Sequence, residues 1–192
     1  MAGIGTVAAL LFLYYFFSFK DWIEVPNPSS ASVVTAGSVS LSQEKARLPS
    51  RVIITHIGVD APVEDVELTS LGAMDVPQGP QSVGWFSRGP RPGEKGTAVI
   101  TGHYGWKGGK TAAFDHLSTL RPGDTIEVVD VMGSNTVFAV RDMHVYPADT
   151  KAPEVFTSKE GTHLNLITCS GAWDASVHSY RERLVVFADL KV

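Results

Sequence analysis

The chain has 192 residues, a length that fits one ordinary domain with a short extension. Hydrophobic residues make up 44% and charged residues 19%, which supplies material for one core and excludes global disorder. The net charge of −4 offers no electrostatic basis for binding nucleic acid, so that class of function is excluded.

The first segment, from Ala2 to Phe19, contains no charged residue. About 18 residues of helix extend roughly 27 Å, close to the hydrocarbon thickness of a bilayer. The segment lacks the basic start and the small-residue cleavage site of a signal peptide, and it lacks the amphipathic stripe of a core helix. We therefore predict an N-terminal transmembrane signal-anchor at residues 1–20. The few flanking charges do not indicate its orientation.

The next segment is rich in Ser, Ala, Val and Pro and shows no hydrophobic period. Such a composition is typical of a tether that holds a domain away from a surface. We place a flexible linker at residues 21–50 and a folded domain at residues 51–192.

The folded part is expected to be mainly β. An apolar run bounded by glycines, GTAVITGH, predicts a strand, and AAFDHLSTL predicts a short helix or turn. TIEVVDV and TVFAVRDMHVY, separated by turn residues, predict a hairpin, and LNLITC and RLVVFADLK predict two further strands. About eight short strands with little helix indicate a closed β-barrel or a sandwich, and periodicity alone does not separate the two.

The only cysteine, Cys169, is expected at the end of a strand, where LNLITC passes into Ser170 and Gly171. A lone cysteine on an apolar strand is usually a packing residue. Outside the cell, however, a solitary thiol is a liability unless it serves a purpose, and rims between strand and loop often carry reactive groups. We predict that Cys169 is a nucleophile, which requires an acid–base partner and a group that stabilises an oxyanion.

Six histidines are candidates for the acid–base partner. We favour His103 because it mirrors Cys169: it follows an apolar strand and is succeeded by a glycine-containing loop. His178, in the loop after Cys169, is the competing candidate. The others are expected to be solvated or bonded locally, and they are His56 in an early strand, His116, His144 and His163.

Two arginines precede the last apolar run of the chain. Arg181 adjoins Glu182, as in an ordinary surface ion pair. Arg183 abuts the apolar run directly, where a charge must be paired or used. Arg183 is therefore the candidate for a guanidinium that points into a site.

The set TGHYGW, LNLITCSG and RERLVVFADL resembles the sortases, the membrane-anchored cysteine transpeptidases of bacterial surfaces. The similarity extends over residues 51–192, and its front half looks like class F or class E/F-type sortases. The resemblance implies a closed eight-stranded sortase-type β-barrel with short helices, preceded by the transmembrane helix. It also implies that His103, Cys169 and Arg183 converge on one groove.

The same resemblance implies the reaction. Sortases cleave an LPxTG-like sorting signal of a surface protein between Thr and Gly, hold the product as a thioester, and transfer it to an amine on a cell-wall precursor or a pilin. In such a reaction Cys169 attacks, His103 protonates the leaving amine and Arg183 donates to the developing oxyanion. The catalytic domain is then extracytoplasmic, on a single span of the cell membrane. Thr168 and Ser170 flank the nucleophile and are expected to contact the substrate, although Thr168 also fits an ordinary strand position.

Two other functions stay open at this point. A chymotrypsin-like barrel cysteine endopeptidase shares the order of His before Cys, although the Gly-x-Cys-Gly surround of its nucleophile is absent. A non-catalytic, membrane-tethered surface module with an unreactive cysteine is the other.

No cofactor or metal site is predicted, because the histidines lack ligand spacing. The carboxylates of Glu64, Asp65 and Glu67 are interpreted as a solvated acidic face rather than a calcium site.

Overall fold

The structure is a computed structural model that describes residues 47–158 and 160–192. The predicted signal-anchor and nearly all of the predicted linker lie outside the described residues. Within them, no helical segment has the length and apolar character needed to cross a bilayer.

The described residues form eight strands and four short 3-10 turns. The strands are β1 (Pro49–Ile54), β2 (Val59–Val66), β3 (Val83–Phe86), β4 (Gly96–Gly102), β5 (Thr125–Asp130), β6 (Asn135–Pro147), β7 (Thr162–Asp174) and β8 (Ser179–Leu190). The 3-10 turns are Thr55–Ile57, Lys107–Gly109, Leu117–Thr119 and Pro153–Val155.

The strands close into a barrel in the order β1-β2-β3-β4-β7-β8-β6-β5, and β5 pairs back onto β1. The closed barrel is thus the correct choice between the two architectures that the sequence analysis left open. Strand β4 pairs with β7 in parallel, and β7 pairs with β8 in antiparallel orientation. The parallel pair brings the carboxyl ends of β4 and β7 to the same edge of the barrel.

Alternation along β7 divides its side chains between two clusters. Leu164 and Leu166 belong to the main core inside the barrel. Ile167 points to the opposite face, where it packs against a second cluster made by Val155 and strand β8. Since Cys169 follows Ile167 by two residues, it lies on this outer face and not in the main core.

The predicted hairpin is confirmed as the antiparallel pair β5–β6. The stretch expected to be a short helix or turn contains the 3-10 turn Leu117–Thr119. This turn is fastened to the barrel because Phe114, Leu117 and Leu120 are fully buried. It therefore offers a fixed base for the loop that follows β4.

Two expectations about strand ends are wrong. Strand β7 does not end at Cys169 but continues to Asp174, and β8 begins at Ser179 rather than at Arg183. The small residues after Cys169 form a bulge within the strand: the β7–β8 register shifts between Ser170 and Trp173, and Gly171 has a φ of 75°. His56 likewise lies in the 3-10 turn Thr55–Ile57 and not in a strand.

Candidate active site

Neighbouring strand positions bring the predicted thiol and imidazole together. In the parallel pair β4–β7, Thr101 is aligned with Ile167. His103 and Cys169 each follow two residues later, so that His103, directly after the end of β4, lies next to Cys169 within β7. Both side chains line the same groove, which has a volume of about 950 Å³.

Two threonine hydroxyls hold these strand ends in place. The Thr168 hydroxyl donates to the carbonyl of Gly102 over 2.8 Å, and the Thr101 hydroxyl donates to the carbonyl of Ile167 over 3.3 Å. Position 102 also requires glycine, because a Cβ there would lie 2.5 Å from the ring of Phe114. The residues immediately before His103 and Cys169 thus fix where these two side chains begin.

The imidazole of His103 is contacted on two sides. Its Nε2 lies 2.9 Å from the carbonyl oxygen of Pro77. Because a carbonyl can only accept, Nε2 carries the proton of this bond, and Nδ1 is the nitrogen that remains for proton transfer. The ring of Trp106 packs edge-on against the imidazole, with 4.7 Å between ring centroids.

The third predicted residue, Arg183, is the direct partner of Cys169 across the β7–β8 pair. Its Nη1 donates to the carbonyl oxygens of Tyr180 and Glu182 over 2.9 and 2.8 Å, and Nη2 donates to the Ser179 hydroxyl over 3.2 Å. A guanidinium has five N–H groups, so these three bonds leave donors of the same fork for an oxygen of a substrate. Arg183 therefore places a permanent positive charge beside the thiol.

Burial raises the pKa of the Cys169 thiol, and the charge of Arg183 lowers it in partial compensation. Since an ordinary thiol has a pKa of about 8.5, the resting side chain is a neutral thiol at neutral pH. A nucleophilic thiolate thus requires that a neighbouring base take the proton, and His103 lies on the same groove.

Aromatic residues that the sequence analysis did not single out form two walls of the groove. The loop after β4 supplies Tyr104 and Trp106, and the β7–β8 hairpin supplies Trp173 and Tyr180. Tyr104 and Trp173 each meet the ring of Tyr180 edge-on, with centroids 5.3 and 5.2 Å apart. The motif TGHYGW already showed two of these rings beside His103, which was a signal that the sequence analysis left unused.

The six histidines divide into two groups. Three are paired with aspartates away from the groove, over 2.7 to 2.8 Å: His56 with Asp124, His144 with Asp142, and His163 with Asp189. The other three line the groove, namely His103, His116 and His178. The competing candidate His178 is therefore near the site, but it lies in the hairpin turn with a φ of 50° rather than at a strand end aligned with Cys169.

The two predicted substrate contacts do not line the groove in the described part of the chain. Thr168 is 3% exposed and its hydroxyl is bonded to Gly102, which matches the ordinary strand position that the sequence analysis kept as its alternative. The hydroxyl oxygen of Ser170 is buried without a hydrogen-bond partner among the described residues.

Two of the three carboxylates considered for calcium are engaged with protein groups. Glu64 accepts from the backbone N–H of Gln78 over 2.9 Å and from the hydroxyl of Ser82. Glu67 forms an ion pair with Arg88 over 2.8 Å. These contacts give Glu64 and Glu67 a structural role on this face of the barrel.

The model of the sortase domain family matches residues 52–191, which span the barrel from β1 to the end of β8. The chain belongs to the sortase family. As a sortase, it is a member of a family of cysteine transpeptidases, and its closed barrel of eight strands is the sortase fold. A comparison with curated proteins found no match.

Solved structures with the same fold are sortases as well. Sortase C-1 from Actinomyces oris is 23% identical, with a TM-score of 0.60 over 74% of this chain and 73% of that chain. A lid mutant of sortase A from Corynebacterium diphtheriae is 24% identical, with a TM-score of 0.59 over 76% of this chain and 70% of that chain. At such identities the similarity shows the fold alone, so the predicted class F or class E/F type stays a prediction.

Proposed function

We propose that this sortase is a transpeptidase that cleaves an LPxTG-like sorting signal between Thr and Gly and transfers the product to an amine. The observation that carries the proposal is the arrangement of three neighbouring strands, β4, β7 and β8. Strands β7 and β8 carry Cys169 and Arg183 as direct partners, and His103 follows β4 at the position next to Cys169. An acid–base group, a nucleophile and a fixed cation are the three components that acyl transfer through a thioester requires.

In the first half of the reaction, His103 takes the proton of Cys169 at Nδ1 as the sulfur attacks the carbonyl carbon of the Thr residue. Arg183 donates to the oxygen on which negative charge develops. The C–N bond then breaks, His103 returns its proton to the leaving Gly amine, and the acyl group remains on sulfur as a thioester. The bond between Nε2 and the Pro77 carbonyl anchors the ring at one nitrogen through both proton transfers.

In the second half, the amine of a cell-wall precursor or of a pilin gives its proton to His103 and attacks the thioester. The C–S bond breaks, the new amide forms, and the sulfur of Cys169 regains its proton. Since the resting thiol has a raised pKa, the enzyme returns to a neutral cysteine after each turnover.

We also propose that the protein is a class F or class E/F-type sortase, anchored in the cell membrane by residues 1–20 with its catalytic domain outside the cytoplasm. The uncharged segment from Ala2 to Phe19 supports this proposal. A variant lacking residues 1–46, which keeps β1 whole, should be soluble, folded and active, whereas the full chain should sediment with membranes. Aggregation of the shortened variant would contradict the anchor, because the segment would then belong to the core.

The proposed function is tested by mass spectrometry of the protein mixed with a panel of LPxTG-like peptides. We expect one peptide to leave its N-terminal fragment on Cys169, and an added oligoglycine amine to convert this adduct into a new amide product. Cys169→Ala should form no adduct, and turnover should be lost in His103→Ala while His178→Ala stays near normal. The opposite ranking of the two histidine variants would assign the acid to His178.

The alternatives give different results in the same experiment. A cysteine endopeptidase would release hydrolysed product whether or not the amine is present. A non-catalytic surface module would form no adduct, and Cys169 of the folded domain would not react with iodoacetamide. Either outcome would exclude transpeptidation.

A further inference from the structure

Asp115 lines the groove but has no part in the proposed reaction. It is half-buried and lies in the turn between Phe114 and Leu117, which are fully buried. Its two carboxylate oxygens accept from two backbone N–H groups, those of Gly105 over 2.6 Å and Ala112 over 3.0 Å. Hydrogen bonds to an ionised carboxylate are stronger than those between neutral groups. Asp115 thus closes both ends of the loop that follows β4.

The other attachments of this loop are at Tyr104, whose ring meets that of Tyr180, and at Thr111, whose carbonyl accepts from the side chain of Gln81 over 2.7 Å. Residues 107–111 are exposed, so they bury little apolar surface. Inside the loop, the backbone N–H of Trp106 donates to the carbonyl of Lys110 over 3.0 Å, and the backbone N–H of Gly109 donates to the carbonyl of Trp106 over 3.2 Å. These bonds shape the loop without fixing it to the core. The turn that carries Asp115 is fixed, and Asp115 is the side chain that joins this turn to the Gly105–Trp106 end of the loop.

The loop matters to the site because Trp106 contacts His103 ring against ring, with 4.7 Å between centroids. Trp106 immediately follows Gly105, whose N–H is bound by Asp115. The carbonyl of Pro77 holds the imidazole only at Nε2, which leaves rotation about that bond to be limited by packing. A continuous set of contacts therefore runs from Asp115 through the Gly105–Trp106 backbone to the imidazole of His103.

We propose that Asp115 is a positioning residue for this sortase: it holds Trp106 against His103, so that the imidazole stays directed towards Cys169. The proposal rests on the proposed function, since it assumes that His103 transfers the proton. This role needs no proton exchange by Asp115, since its two oxygens act as acceptors of backbone N–H groups.

The first test compares Asp115→Ala with Asp130→Ala. Asp130, the last residue of β5, is the control: its Oδ1 accepts from two backbone N–H groups in the turn that follows, those of Met132 and Ser134 over 2.8 and 2.9 Å, and it does not line the groove. We expect Asp115→Ala to lower kcat by about 10-fold or more with KM changed less than about 2-fold, since small displacements of a catalytic group are costly. Asp115→Asn, which keeps one accepting oxygen, should recover part of the loss.

A double-mutant cycle tests the route of the effect. If Asp115 acts through Trp106, adding Asp115→Ala to Trp106→Ala should lower kcat by less than about 2-fold further. The proposal would be overturned if the losses of kcat in the two single variants multiplied in the double variant. A loss of kcat in Asp115→Ala no larger than that in Asp130→Ala would overturn it as well. A rise in KM with unchanged kcat would show instead that Asp115 contacts the substrate.

A third measurement needs no sorting peptide. The ¹⁵N NMR signals of the His103 imidazole report its tautomer and its surroundings directly. They should shift in Asp115→Ala and in Trp106→Ala but not in Asp130→Ala, and an unchanged His103 spectrum would overturn the proposal. If no peptide of the panel acylates Cys169 of the unaltered protein, the proposed function fails. These spectra would still decide the role of Asp115.

Discussion

The hydroxyl of Thr168 offers a sharp test of how the active site is built. Thr168→Val removes this hydroxyl and keeps the shape of the side chain. The lost bond runs from the Thr168 hydroxyl to the carbonyl oxygen of Gly102 over 2.8 Å. Both residues are buried, and Thr168 is 3% exposed. The carbonyl precedes His103 directly, so the change acts on stability and on the position of the imidazole together.

The expected magnitude follows from the burial of the bond. A buried polar group that loses its partner costs about 1–3 kcal/mol of unfolding free energy. For a domain of this size, each kcal/mol lowers the melting temperature by about 2–4 °C. Because His103 is attached to the affected carbonyl, we also expect kcat to fall by about 10-fold, with little change in KM.

The assay combines thermal unfolding with peptide turnover for three variants. Thr168→Ser keeps the hydroxyl and should retain most of the activity. Thr101→Val removes a longer bond, 3.3 Å, between the same two strands, and should cost less stability and less kcat. Equal losses of kcat in Thr101→Val and Thr168→Val would refute the positioning role. A raised KM at unchanged stability would instead restore the substrate contact that the sequence suggested for Thr168.

Three further predictions concern the thiol, the cation and the strand end. Because burial raises the pKa of Cys169, alkylation by iodoacetamide should still accelerate above pH ~8.5, and a plateau reached below pH ~8 would contradict this. Arg183→Gln removes the charge that lowers this pKa and should move the alkylation curve to higher pH. Arg183→Lys should leave the curve near its original position yet lose turnover, because an ammonium does not reproduce the guanidinium fork. Full turnover in the Lys variant would argue against an oxyanion role. Gly102→Ala forces a Cβ to within 2.5 Å of the Phe114 ring and should cost about 1–3 kcal/mol in urea unfolding, so an unchanged midpoint would show that Phe114 moves aside freely.

Local patterns predicted several elements of this barrel correctly. The glycine-bounded run that became β4 and the hairpin β5–β6 were read from apolar runs and turn residues. The same reasoning failed after Cys169, where Ser170 and Gly171 were interpreted as the start of a loop. Small residues also suit a bulge inside a strand, and only the long pairing with β8 shows which of the two they form.

The sequence supplied candidates for the site residues but not the way in which the site is built. Cys169 and His103 were selected because each was expected at the end of an apolar run beside glycine, and Arg183 because it adjoins a buried strand. The contacts of His103 with Pro77 and Trp106 were not predicted. Such contacts depend on loops that meet only after the barrel closes, and no local period encodes them.

The sequence by itself determined the β character of the domain, the candidates for the reactive groups and the resemblance to sortases, because these depend on residue type and on short-range order along the chain. The tertiary structure decided that β4 and β7 are parallel neighbours and that β8 pairs on the other side of β7. Strand register between distant segments is set by closure of the whole barrel around its core. For that reason only the folded chain shows that Arg183 is the direct partner of Cys169 and that His103 lines the same groove as Cys169, with the Thr168 hydroxyl bonded to the carbonyl before His103.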